Sequence, residues 1–448
     1  MLAEDDWEVI SNSAKISKVQ GSTEDKEFGL VLKRFGLTDP DTLDTITSLG
    51  SGAKFTCHEF ERTKPISTYL YCIVAGPFDA LEPEPGKEDP AIPMRLYCRK
   101  SLTSHARKWK DEWFRVTQIG IKYYEKVFAT PYPFGKFDQV LCPDYAMGAM
   151  ENVGCVTYND ELIGRGEEIT RASIENRIFN TILHEISHMW FGNLVTMKWW
   201  DDLWLNESFA NTVSYMCMDE AEGADDMTLA WNIFLDEQYW GLATDQRVST
   251  HPIATQCAST ADAQDIFDGI SYGKGAAFLK QALYFIGKDA FLLGIKTYFE
   301  KYSYKNTELK DFIAELKAAV VKLGRNKDLD FDAWTDSWLK TPGCNEIELE
   351  YTLDAKRKIT KMVVKQGLYN AESTPENRLR IQKFNVTALD DKMRPIEGKN
   401  ILVTTSDKAG EVAVKEFVGM QMPAAFLINH GAHGYGKFVY DEETLKTF

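Results

Sequence analysis

The sequence predicts a multidomain α+β protein. Three observations carry that prediction. The first 99 residues hold short apolar, β-branched and aromatic runs of strand type. Between 100 and 343 apolar residues recur at helical spacing. From 344 to 448 the pattern returns to strand-type alternation. At 448 residues the chain is long enough for two to four separate cores. The expected organisation is a β domain over 1–99, a mostly helical domain over 100–343 and a second β domain over 344–448.

Taken in order, residues 68–75 and 94–98 suit strands, and Pro83, Pro85, Pro90 and Pro93 mark a loop between them. Residues 21–52 are polar and contain glycine, and read as an insertion or a mobile loop. Phe114, Ile119, Tyr123, Tyr124 and Phe128 lie on a helix that must stop before Pro131. A short strand over 139–142 and a Gly-containing stretch follow. Helices then dominate to Pro342 and Gly343. Residues 346–353 alternate cleanly, and 401–405 and 411–417 also read as strands.

Charge and composition exclude several classes of function. The net charge of −16 argues against nucleic acid or an anionic membrane as the main partner. Solubility is its general explanation, and an acidic cleft would in addition favour a cationic ligand such as a peptide amino terminus. The first residues lack the basic and apolar regions of a signal peptide, and no stretch is long and apolar enough to span a membrane. Eight cysteines are scattered without a Cys-x-x-Cys pair, as expected for reduced thiols. Together these readings lead to a cytoplasmic expectation.

The most informative residues are His184, Glu185 and His188, followed by Glu207. Two histidines four apart on a helix are separated by about 400° of rotation and about 6 Å of rise, so both imidazoles leave one face. Ile178, Phe179, Ile182, Leu183, Ile186, Met189 and Trp190 recur at helical spacing, which buries that helix. Buried imidazoles and carboxylates need partners, and a metal supplies them. Eighteen residues separate His188 from Glu207, enough for a turn and entry into a second helix. Two neutral imidazoles and one carboxylate make the three-ligand set of a catalytic zinc, which keeps one position open for water. Glu185, between the histidines, is placed to take a proton from that water. Asp201 and Asp202 are candidate acceptors for a ligating histidine N–H, or surface and capping carboxylates.

A second motif precedes the first. Gly148, Ala149, Met150, Glu151 and Asn152, beside the histidine–glutamate set, resemble the exopeptidase signature of the aminopeptidase N family of zinc metallopeptidases. Segments 132–138, 191–197, 199–207 and 270–275 resemble that family in the same order. The resemblance implies a saddle-like β domain, here partial, then a thermolysin-like catalytic domain, then a small β-sandwich. It implies a zinc-dependent aminopeptidase that releases N-terminal residues from peptides. His184, His188 and Glu207 would hold one Zn²⁺, and Glu185 would be the general base and proton shuttle. Glu151, with Gly148, Ala149, Met150 and Asn152 around it, would receive the free α-amine and the extended substrate backbone. Tyr272 would stabilise the tetrahedral oxyanion. Met147 and Phe267 match positions that line the first side-chain pocket, where ordinary packing is the competing explanation.

The chain also departs from the family pattern. The start of the N-terminal domain and the large C-terminal helical domain have no counterpart in it. This leaves an alternative open: a truncated non-catalytic paralogue, or half of a split enzyme that needs a partner chain and binds peptides without turnover. The intact Glu151 motif argues against an endopeptidase, and residues 206–210 do not resemble the family's epoxide-hydrolase branch.

Overall fold

The structure, a computed structural model, describes the chain except residues 23–24, 43, 45–53, 85–91, 164–170, 326–328, 371 and 373. It is a mixed α and β architecture in two compact units. One comprises Met1–Lys122 and Pro131–Leu194, the other Tyr123–Thr130 and Val195–Phe448.

The first unit is built on sheets. Strands Leu2–Glu4, Lys54–Phe60 and Lys15–Ser22 form an antiparallel sheet with Lys54–Phe60 at its centre. Part of the segment expected to be a loop is instead the helix Lys26–Arg34. Asp25 caps it by accepting from the Glu27 and Phe28 amides. Phe28 and Leu32, one turn apart, bury against Phe55 and Cys57. Residues 23–24, 43 and 45–52 of that expected loop, and most of the proline-marked loop, lie outside the described residues. The strand expected over 68–75 also needs correction. Thr68–Leu70 form a 3₁₀ turn and only Ile73–Gly76 is extended, pairing with Glu8–Ser11.

The five-stranded sheet of this unit carries the segment before Glu151. Its order is Phe78–Leu81, Met94–Arg99, Phe137–Cys142, Cys155–Asn159 and Ala149–Met150, with parallel pairing in the middle and antiparallel pairing at both edges. The helix Thr103–Phe128 connects two of the parallel strands. A parallel pair cannot be joined by a hairpin and requires such a crossover. A buried hydrogen-bond network fixes the helix to the sheet. Trp113 Nε1 donates to Gln139 Oε1 (2.7 Å), Tyr158 OH donates to the same oxygen (3.1 Å), and Gln139 Nε2 donates to Thr117 Oγ1 (3.1 Å). Gly120 lets the next helix approach, since a Cβ there would lie 2.7 Å from Leu183 Cδ2.

The second unit is mostly helical up to Leu339, with a short parallel strand pair, Val195–Met197 and Lys305–Thr307. Its helices are Leu203–Glu220, Ala230–Asp245, Gly275–Ile286, Lys288–Tyr302, Leu309–Lys322 and Phe331–Leu339. Phe128, Phe209, Phe291, Phe299 and Phe312 meet in an aromatic core. Beyond residue 344 come two sheets. One orders Glu411–Ala413, Ile359–Leu368, Asn345–Leu353 and Lys437–Val439; the other orders Pro395–Thr404, Lys383–Leu389 and Ala425–His430. Ile347, Met362 and Val364 from the first share one apolar cluster with Phe384, Val386, Val403, Phe426 and Ile428 from the second. The strand expected over 411–417 ends at Ala413, and Lys415–Phe417 turn as a 3₁₀ segment that buries Phe417. No helix among the described residues is long and apolar enough to cross a membrane.

Candidate metal centre

The helix bearing the two histidines begins as α over Arg171–Ile174, widens to a π segment over Glu175–Asn180 and returns to α over Thr181–Ser187. Such π insertions occur often at functional sites. Ile182, Leu183, Ile186, Met189 and Trp190 are fully buried, as their spacing predicts. His184 is half-buried, while Glu185 and His188 are buried.

The two imidazoles face each other with Nε2 atoms 3.0 Å apart and rings nearly perpendicular. His188 Nδ1 lies 3.0 Å from the Phe191 carbonyl oxygen, which can only accept. Nδ1 therefore carries a proton, and in its neutral form the ring would present the lone pair of Nε2 towards His184. That is the tautomer a metal needs, fixed by a backbone acceptor behind the ring. Two nitrogens on a tetrahedral zinc, each about 2.0–2.1 Å from it, sit roughly 3.3 Å apart. The observed separation is close to that value, so the donor pair fits zinc. Gly192, at φ 114°, makes the turn that brings the Phe191 carbonyl back to the ring.

The Glu151 motif adjoins this helix within the same unit. Ala149–Met150 is an edge strand paired with Cys155–Asn159. Asn193, just past the histidine helix, donates from Nδ2 to the Glu151 carbonyl at 2.8 Å and so ties the two segments together. A carboxylate oxygen of Glu151, one of Glu185 and a ring nitrogen of His188 all lie within 4.8 Å of one another. The loop after Glu151 is clamped as well. Asn12 donates to the Val153 carbonyl (2.9 Å), and Lys136, paired with Asp138 at 2.7 Å, donates to that of Gly154 (2.6 Å). Gly148 and Met147 are exposed, Ala149 and Met150 half-buried, and Asn152 buried with its Nδ2 donating to Thr157 Oγ1 at 3.0 Å.

Glu207 and Tyr272 belong to the second unit. Glu207 is buried in the second helix, Leu203–Glu220. Tyr272 is half-buried within a π turn, Ile270–Lys274, where its ring neighbours Trp240 (centroids 5.6 Å) and Phe267 (6.4 Å). Lys274 at the end of that turn is fully buried against Asp245, with Nζ 2.9 Å from Oδ2. Burial pulls its ammonium down to about 8, although the Asp245 charge opposes this. Asp201 and Asp202 have backbone partners. Asp201 accepts from the Cys257 amide in a loop, and Asp202 from that of Leu309 (2.9 Å), the first residue of the helix Leu309–Lys322. The acceptor that orients His188 is a main-chain carbonyl, which a search among acidic side chains does not find. The contacts of Asn193 and Trp240 were likewise not singled out from sequence, since neither lies in a metal-ligand pattern.

Residues 113–340 match the peptidase family M1 domain, and the chain belongs to that family. It is similar to an aminopeptidase N of Streptomyces lividans, 37% identical over 393 residues, covering 86% of this chain and 44% of the relative. It is also similar to aminopeptidase M1 of Arabidopsis thaliana, 32% identical over 80% of this chain and 38% of the relative. Aminopeptidase N of Canis lupus familiaris is 33% identical over 66% of this chain and 30% of the relative. The chain thus spans less than half the length of these relatives.

Proposed function

We propose that the chain is a zinc-dependent aminopeptidase that releases N-terminal residues from peptides. The observation that carries the reading is the pair of facing Nε2 atoms, one of them held in the ligating tautomer. In this reading His184, His188 and Glu207 hold one zinc ion, a donor set suited to that metal. Zinc there would supply acidity to a water and polarise the scissile carbonyl.

The chain's own residues do the rest. Glu185 takes the proton from the attacking water and passes it to the departing amine. Its position between the histidines and its burial beside His188 and Glu151 support that role. Glu151 pairs with the substrate ammonium, which restricts the reaction to chain ends. Ala149 and Met150, flanked by Gly148 and Asn152, form an edge strand to which an extended peptide adds. Tyr272 donates a hydrogen bond to the oxyanion, a contribution of about 3 kcal/mol by comparison with other such donors. Met147 and Phe267 line the pocket for the first side chain; the exposure of Met147 and the contact of Phe267 with Tyr272 support this.

The domains follow the same reading: 1–99 as a partial saddle-like β domain, 100–343 as the thermolysin-like catalytic domain, 344–448 as a β-sandwich. The apolar cluster shared by the two C-terminal sheets supports the last of these. Peptides with free amino termini are the proposed partners and the cytoplasm the proposed location. Zinc content and hydrolysis of aminoacyl fluorogenic substrates test the proposal together. One zinc per chain is expected, lost with activity in His184→Ala and His188→Ala. A metal-free chain with undiminished turnover would sink it.

A further inference from the structure

Both ring nitrogens of His251 face acceptors. Nδ1 is 2.7 Å from the Pro252 carbonyl oxygen, and Nε2 is 3.1 Å from Asp268 Oδ2. A carbonyl never donates, so Nδ1 carries a proton. Asp268 Oδ1 already accepts from the amides of Ile270 (2.9 Å) and Ser271 (3.2 Å), bonds that favour the ionised carboxylate. Nε2 must then donate to Oδ2, and the ring holds both protons as an imidazolium. The main-chain carbonyl of Asp268 accepts from the Tyr272 amide at 3.1 Å. Asp268 therefore holds three successive amides of the π turn, and His251 holds Asp268.

We propose that His251 is a positioning residue for Tyr272: its cationic ring locks Asp268, and through it the turn that aims the tyrosine hydroxyl. The inference rests on the reading of Tyr272 as the oxyanion donor. The electrostatics agree with the geometry. Burial acts to lower the His251 value, but its bonds to Asp268 and Pro252 outweigh this and raise it above the ordinary 6.5. The other charge facing the ring is Lys274, which opposes protonation and is itself paired with Asp245. Burial alone would raise Asp268, yet His251 and the two amides bring it below the ordinary 3.8. The lock is complete below pH 6.5 and is lost as pH rises through the raised histidine value. At the acid end it is lost as pH falls through the lowered carboxylate value. Above the histidine value a lone pair on Nε2 meets the carboxylate, and the turn loses its anchor.

The test uses the full zinc-loaded chain. His251→Ala should lower kcat by about ten- to a hundredfold, the scale of a misplaced reacting group, with KM nearly unchanged. His251→Gln keeps a neutral donor; it should recover most of the rate and lose the alkaline limb of the pH profile that belongs to His251. Amide exchange at residues 270–272 should accelerate in His251→Ala and, in the parent chain, as pH rises through the histidine value beyond the intrinsic dependence of exchange. In a Tyr272→Phe background His251→Ala should cost little more. If Tyr272→Phe itself leaves kcat unchanged, the oxyanion reading fails. If Tyr272→Phe is impaired but His251→Ala keeps the parental kcat and pH profile, the positioning role alone is overturned. Equal losses from His251→Ala with and without Tyr272 also overturn it, because the effect then does not pass through the tyrosine.

Discussion

Gly273 follows Tyr272, and its missing side chain is what allows the π turn to rest on the helix Ala230–Asp245. A Cβ at this position would lie 2.0 Å from the Glu237 carbonyl oxygen and 3.1 Å from the Gly241 amide nitrogen. Both are helix backbone and cannot swing aside as a side-chain tip does. The same contact is shared by Gly241, whose Cβ would meet the Lys274 amide at 2.7 Å, and by Gly269, which would meet the Trp240 carbonyl at 2.5 Å. Gly273→Ala must therefore push the turn off the helix, by more than roughly 1 Å, and a misplacement of that size costs about a hundredfold in rate. The forced repacking should also destabilise the unit by about 1–3 kcal/mol. The assay is kcat on an aminoacyl fluorogenic substrate, with zinc content and thermal unfolding measured on the same preparation. Gly367→Ala is the control, since a Cβ there meets nothing within 4 Å. A Gly273→Ala chain with parental kcat and parental stability would refute the reasoning that close packing of this turn aims Tyr272.

Other substitutions address the remaining roles. Glu185→Gln should keep zinc and lose activity by about 10²–10⁴-fold, the range of a lost general base, checked by turnover and metal analysis together. Tyr272→Phe should lower kcat by about 10²–10³-fold with little change in fold, checked by kcat and thermal unfolding. Lys274→Met leaves Asp245 charged and buried without its cation, and should cost about 3–5 kcal/mol in denaturant unfolding. Glu237, pushed up to about 7 by burial even though Asn211 donates to it, keeps its proton in the fold up to about pH 7, while the unfolded chain ionises near 4.5. Its contribution to stability is full below 4.5 and is lost as pH rises towards 7, so Glu237→Gln should raise the melting temperature at pH 8 and leave it unchanged near pH 4.

Much of the site was legible because metal chemistry compresses its requirements into a short motif. The i and i+4 histidines lie on the expected buried helix, and their nitrogens converge as that spacing dictates. The long helix ends where Ala129, at φ 49°, turns the chain before Pro131. What the sequence concealed were contacts made by the main chain or between distant segments. The Phe191 carbonyl that fixes His188 has no side-chain signature. The sequence left Asp201 and Asp202 open between orienting a histidine and capping, and their bonds to the Cys257 and Leu309 amides are of the second kind. The helix Lys26–Arg34 was hidden by the polar, glycine-containing stretch around it; its two buried apolar positions are too few to stand out by periodicity. The π turn under Tyr272 depends on Asp268, His251 and three glycine contacts that only the fold brings together.

The central claim is that Glu151 makes a zinc hydrolase into an aminopeptidase by pairing with a substrate ammonium. Its most direct test is the rate of hydrolysis of one aminoacyl fluorogenic substrate against its N-acetylated form. Turnover of the free amine alone, with the discrimination reduced in Glu151→Gln, is the expected result. Equal cleavage of the blocked and free substrates by the zinc-loaded chain would contradict the account.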